Sequence, residues 1–400
     1  MTAHDRLSAP SASQTVTAGL LTALVGFASS FAVVVQGLVH VGATEAEAAS
    51  GLCALAVAMG AAAVLLSLRT RMPISIAWST PGAALLATCA PPEGGFAGAV
   101  GAFLAAGLLM AAAGFFRPLG TLVTAIPKPI ANAMLAGILL DLCLAPFTAI
   151  WHLPGLAVPI VVVWALVGRI ARLYAVPAAV LVAVLMMVWH AQGNHGFMGA
   201  PQPALLLPQP IFVAPHFSWS AMIGIALPLF IVTMASQNIP GLAVLGSFGY
   251  RPAPGPIFVV TGALSAAVSV LGGHAINLAA ITAALCAGPD AHPLPERRFR
   301  AAIVAGIAYM ALGLLATIAT GFISTSPPLI IEAVAGLALI GAFGGALGGM
   351  LEDAAGKEAG LITFLVTASG MSVGGIGSAF WGLVIGLGFH VLKRAGAKPA

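Results

Sequence analysis

Charge is what this sequence has least of. Only 6% of its 400 residues are Asp, Glu, Lys or Arg, against about 25% in an ordinary soluble domain. So few ions cannot clothe a water-facing surface, which excludes a soluble globular protein. Hydrophobic residues make up 60% and recur end to end in stretches of about 20, the length that crosses a bilayer as a helix. That recurrence excludes a single anchor on a soluble body. Cysteine is scarce as well. Cys53, Cys89, Cys143 and Cys286 each sit in an apolar run without CxxC spacing, so neither disulfides nor a metal site is expected. No Walker loop, HExxH, GxSxG in context or dinucleotide fingerprint is found, so neither an enzyme nor a cofactor is expected. The glycines between Gly344 and Gly349 fall inside an apolar run and read as close helix packing, not a phosphate cradle.

What is present is a modest basic excess: 15 Lys+Arg against 11 Asp+Glu, a net charge of +4. In a membrane chain such residues mark cytoplasmic loops, so nucleic acid is not the expected partner. We read an all-α polytopic membrane protein of fourteen spans. Seven lie at about 15–41, 45–67, 74–90, 95–116, 127–147, 155–171 and 174–190, and seven at about 219–246, 254–270, 273–288, 297–321, 326–351, 357–371 and 374–392. The first run is longer than a signal-peptide core and is read as a membrane helix, not a cleaved signal. One long loop, 191–218, divides the two sets. With the N-terminus inside, all 15 basic residues fall on one side: Arg6, Arg69, Arg71, Arg117, Lys128, Arg169, Arg172, Arg251, Arg297, Arg298, Arg300, Lys357, Lys393, Arg394 and Lys398. The opposite loops carry Glu45, Glu47, Glu93 and several His, including His195. This asymmetry predicts a multi-pass protein of the bacterial inner membrane with both termini cytoplasmic.

The two sets echo each other. Ala83-Ala84-Leu85-Leu86-Ala87-Thr88-Cys89-Ala90 resembles Ala280-Ile281-Thr282-Ala283-Ala284-Leu285-Cys286-Ala287, and Pro129 precedes Ala136-Gly137 as Pro328 precedes Ala335-Gly336. Seven spans per copy would turn the second copy upside down, a 7+7 inverted repeat with a site at the midplane between copies.

Two spans look broken. Ile74 to Ser79 reads as extended, and Thr80-Pro81 as a helix start, with Thr80 as N-cap and a helix over 81–90 of about 15 Å. In the tenth span, Val268 to His274 reads as extended or irregular and Asn277 as the cap of a helix over 278–288 of about 16 Å. These short extended segments are expected to pair, because irregular backbone at that depth must be satisfied inside the protein. The two half-helix starts would then offer N–H groups and positive dipole ends to a carboxylate without any buried Lys or Arg. Ser79 and Thr80 at the first start and His274 and Asn277 at the second are candidate ligand contacts. So are Gln237 and Asn238, amides in an apolar span just before Pro240, and Ser29 and Ser30, their counterparts in the first span. Packing between helices is the plainer role for each serine. Phe27, Phe31, Trp78 and Phe230 could wall an aromatic pocket or simply pack. His274, with an ordinary pKa near 6.5, is a candidate proton carrier, and so are Asp141 in the fifth span and Glu332 in the twelfth.

At these residues the chain resembles a known family. Thr80 to Leu86, Met234 to Gly241, Gly272 to Thr282 and Ile362 to Gly370 are similar to the bacterial benzoate/proton symporters, over about 15–392. That family is itself similar to the uracil/xanthine and sulfate permeases. The resemblance implies a core domain (15–116 and 219–321, spans 1–4 and 8–11) working against a gate domain (117–190 and 322–392, spans 5–7 and 12–14), flanked by tails 1–14 and 393–400. It implies a benzoate-like substrate, protons and membrane lipid as partners, with a homodimer left open. Nucleobase relatives carry acidic residues in the eighth and tenth spans; the nearby polar positions here are Gln237 and Asn277, and that departure suits an anionic substrate. A carrier for a nucleobase or inorganic anion is the alternative within the fold. A channel or non-transporting scaffold is the alternative outside it.

Overall fold

The computed structural model describes residues 12–116, 118, 125–193, 207–280, 282–353, 356–374 and 376–396. Arg6, Arg117, His195 and Lys398, with most of the expected tails and the first part of the 191–218 loop, lie outside these. The described chain is almost entirely helical. Six helices are long and apolar enough to cross a membrane, or seven when one bent pair counts as a single span. By that measure the expected fourteen spans are not reached; shorter apolar helices occupy several of the remaining positions.

The first span departs from the expected rod. Helix α1 (Ala12–Ala28) stops at Ser29-Ser30, and α2 (Phe31–His40) restarts beyond them. Both serine hydroxyls donate back to the Gly26 carbonyl, at 3.2 and 3.0 Å, a local bond that competes with the helix ladder. Helix α3 (Glu45–Thr70) follows from a capping box of Thr44 and Glu47. Then come β1 (Ile76–Trp78), α4 (Thr80–Ala87) and α5 (Phe96–Phe115), and three further helices, α6 (Lys128–His152), α7 (Pro154–Ile170) and α8 (Ala175–Gly193).

The second half opens with α9 (Trp219–Ser247), which contains two π-helical turns, Met222–Ala226 and Met234–Asn238. Next are α10 (Pro254–Ser269), β2 (Ile276–Leu278) and α11 (Ala283–Ala287). The expected single eleventh span is instead α12 (Phe299–Gly313) and α13 (Ala316–Ser324), bent by 54°. Helices α14 (Pro328–Leu351), α15 (Lys357–Ala368) and α16 (Ser378–Gly396) complete the chain.

Small residues bring the helices close. A Cβ on Gly60 of α3 would lie 2.3 Å from the Gly306 carbonyl of α12, and one on Gly262 of α10 would lie 2.2 Å from the Ala111 nitrogen of α5. Such backbone-to-backbone approach is how apolar helices associate when lipid is as apolar as their side chains.

The two strands pair antiparallel, with Ile76 opposite Leu278, Ala77 opposite Asn277 and Trp78 opposite Ile276. Bonds from Ser79 N–H to the Ala275 carbonyl (2.9 Å) and from Ala279 N–H to the Ser75 carbonyl (3.0 Å) extend the ladder at both ends. Side chains satisfy the outer edge of β2. Ser265 Oγ accepts from Ile276 N–H and Asn238 Oδ1 from Leu278 N–H, each at 2.9 Å. Non-helical backbone is thus closed off inside the bundle, as burial demands.

Candidate functional site

The pairing of the two extended pieces is as expected, but their boundaries are not. The cap of α4 is Ser79, one residue before Thr80. Ser79 Oγ accepts from Gly82 N–H at 3.1 Å, and the helix is eight residues long. In the tenth span the extended piece is Ile276–Leu278, while residues 268 and 269 still belong to α10. Asn277 therefore caps nothing; it sits mid-strand opposite Ala77. The helix that follows, α11, begins only at Ala283 and runs five residues. The two helix starts are consequently unequal, and only α4 has the length to present a dipole end.

Most of the polar residues gathered here are already engaged. With Asn277 oriented to satisfy both groups, its amide nitrogen donates to the Leu278 carbonyl (2.8 Å) and its oxygen accepts from Ser79 N–H (3.1 Å). Fully buried Asn238 adds a contact from Nδ2 to Met234 Sδ at 3.1 Å to its bond with Leu278. Ser30 Oγ accepts from Trp78 Nε1 at 2.8 Å. Ser79 Oγ also meets Thr233 Oγ at 2.8 Å. His274 is fully buried, with Nε2 donating to the Ser79 carbonyl at 3.0 Å, its Nδ1 unpartnered and its ring edge-on to Phe103. Five of the eight candidates thus tie α1, α4, α9 and β2 into one frame.

The other three differ. Among the described residues, the Thr80 hydroxyl and the Gln237 amide make no hydrogen bond, and Ser29 makes only its local one. Thr80 and Ser29 are half-buried and Gln237 is 9% exposed. Gln237 stands one helical turn from Thr233, on the same face of α9, and Thr233 bonds the cap of α4. Of the first-turn donors of α4, Pro81 has none, and Gly82 and Ala83 N–H are taken by Ser79. Thr80 N–H is the one left open. Next to Ser79 in the chain, Trp78 meets Phe27 edge-on (5.2 Å), and Phe27 stacks on Phe31 (5.9 Å). All three rings and Phe230 are buried packing residues.

Asp141 and Glu332 lie elsewhere. They line a cavity of about 570 Å³ beyond the C-terminal end of α4, together with Gln36, His40, Glu45 and Thr88. Among the described residues, neither Lys nor Arg lines it, and none of the eight crossing candidates does. Gln36 buries its Oε1 there without a partner. Thr233, Gln36 and Thr88 were not picked out from sequence. Thr233 carries the one usable signal, a hydroxyl four residues before Gln237 in an apolar helix.

A family model described as benzoate membrane transport protein matches residues 9–392. This chain belongs to that family. It is 40% identical over 377 residues to the inner membrane protein YdcO of Escherichia coli (strain K12), spanning 93% of this chain and 94% of that one. It is 32% identical over 385 residues to the benzoate membrane transport protein of Acinetobacter baylyi (strain ATCC 33305 / BD413 / ADP1), spanning 95% of each. In fold it resembles the transmembrane domain of the cyanobacterial bicarbonate transporter BicA, with TM-score 0.60 at 16% identity over 96% of this chain and 97% of that one. It also resembles the murine anion transporter Slc26a9 in its inward-facing state, with TM-score 0.65 at 14% identity over 96% of this chain and 68% of that one. Membership of the benzoate transport family makes the chain a membrane transporter rather than an enzyme, and its polar crossing is the natural place to look for cargo.

Proposed function

We propose that the chain imports benzoate or a similar small aromatic carboxylate together with a proton, by movement of a core domain (spans 1–4 and 8–11) against a gate domain (spans 5–7 and 12–14). The observation that carries this reading is the division of labour at the crossing. A bonded frame of Ser30, Ser79, Asn238, His274 and Asn277 leaves uncommitted Thr80, at the start of α4, and Gln237, one turn from the Thr233 that bonds the cap of that helix. A carboxylate there would accept from Thr80 N–H, the Thr80 hydroxyl and the Gln237 amide, with the helix dipole behind them and no fixed positive charge to hold it after delivery.

We assign proton coupling to the cavity, not to the crossing. His274 donates from Nε2 to a carbonyl, and its remaining nitrogen is buried without a partner; that arrangement suits a neutral latch that positions Ser79. Asp141 and Glu332 share a cavity that, among the described residues, no Lys or Arg lines. Elements of both proposed domains, α2 and α13 on one side and α6 and α14 on the other, line it. Closing core on gate would enclose these carboxylates between the two domains, which makes them the candidates for carrying the proton with the cargo.

Uptake of labelled benzoate into proteoliposomes with and without an inward proton gradient tests the proposal. Gradient-stimulated, saturable uptake that unlabelled benzoate competes for is expected. Gradient-insensitive uptake would remove the coupling, and better competition by a nucleobase or bicarbonate would replace the substrate.

A further inference from the structure

At the end of the bundle where α3 stops and α12 starts, arginines gather with nothing assigned to them. Arg71 ends α3 with φ 56°, the only described residue other than glycine in the left-handed region. Helix ends commonly place glycine there because a Cβ strains that conformation. An arginine held in that strained conformation points to a use for its side chain. Its guanidinium carbon lies 5.1 Å from the centre of the Phe299 ring, and that of Arg300 lies 6.0 Å from the same ring. Neither side chain makes an ion pair or hydrogen bond among the described residues. Both are exposed. The contrast is Arg298, buried and donating to the backbone carbonyls of Ala287, His292 and Pro293, which is what a purely structural arginine looks like. No side chain caps the first turn of α12, so its positive dipole end adds to the same field.

We propose that Arg71 and Arg300, steadied on opposite sequence repeats by Phe299, bind the phosphate of an anionic phospholipid headgroup. Planar guanidinium forks match phosphate oxygens, and the pair sits at the end of the long apolar α3 and the start of the bent span α12–α13, where a bilayer's headgroups lie. Neither arginine belongs to the crossing, so the site stands or falls independently of the substrate.

Native mass spectrometry of the delipidated full chain, titrated with phosphatidylglycerol or phosphatidylcholine, reads the binding. Phosphatidylglycerol is expected to be retained in preference. Each of Arg71→Gly and Arg300→Gln should weaken it by roughly fivefold. Arg71→Gly separates this from a folding role, because glycine suits the left-handed backbone: its melting temperature should stay level or rise while lipid affinity falls. The proposal is overturned by a double variant that retains phosphatidylglycerol like the native chain, by equal retention of phosphatidylcholine, or by millimolar inorganic phosphate displacing the lipid completely. A loss of binding only in step with a falling melting temperature would also overturn it.

Discussion

Gln237 and Asn238 are adjacent amides in one π-helical turn, yet their surroundings give them different work. Asn238 closes a buried strand edge through Leu278 N–H, whereas Gln237 has no bond to lose. Asn238→Ala should therefore leave a buried donor unsatisfied and destabilise the protein by about 1–3 kcal/mol, read as a lower melting temperature in detergent. Gln237→Ala should melt like the native protein and weaken benzoate binding by about tenfold, the worth of one hydrogen bond to a charged group. The same logic moves Asn277 out of the ligand set, since both ends of its amide are engaged. For the cavity, Asp141→Asn and Glu332→Gln imitate the protonated state. Each should keep benzoate exchange across proteoliposomes while flattening its response to an imposed pH gradient; an unchanged gradient response in the double variant would move the coupling elsewhere.

At the scale of elements, the crossing of two short extended pieces could be read from sequence, because alternating β-branched residues and a Thr-Pro start stand out in an otherwise helical chain. The cap positions could not. Ser79-Thr80 offers two successive capping hydroxyls, and only the contact with Thr233, 154 residues away, decides between them. Asn277 has the side chain of an N-cap but lies in a strand, where tertiary pairing overrides the local preference. The break at Ser29-Ser30 was hidden for the converse reason: two small residues in an apolar run read as packing. Gly272 makes the turn into β2 with φ 90°, and an added Cβ would lie 3.0 Å from the Glu47 carbonyl. Gly272→Ala should thus destabilise the crossing by about 1–2 kcal/mol and depress transport and melting temperature together. Ser79→Ala, which removes the cap and the bond to Thr233, should do the same by a similar amount.

Over the whole molecule, elements of both proposed domains meet around the Asp141–Glu332 cavity, and alternating access requires that cavity to change shape as cargo moves. Thr88 lines it at the C-terminal end of α4. Introduced as the single cysteine in a cysteine-free background, Thr88→Cys should react with a small polar thiol reagent at a rate that saturating benzoate alters severalfold. An identical rate with and without benzoate would speak for a rigid body. The pattern of charge along the chain anticipated a membrane protein and its family resemblance anticipated the carrier, but helix length alone gives six or seven crossings among the described residues, because carriers of this kind use short and broken helices where a cavity must form.

The account rests on Thr80 and Gln237 holding the cargo's carboxylate, and calorimetric titration of benzoate into the purified Thr80→Ala/Gln237→Ala variant asks that directly. We expect native melting behaviour with affinity reduced by about 30-fold or more. Native affinity in that folded double variant would place the substrate somewhere else.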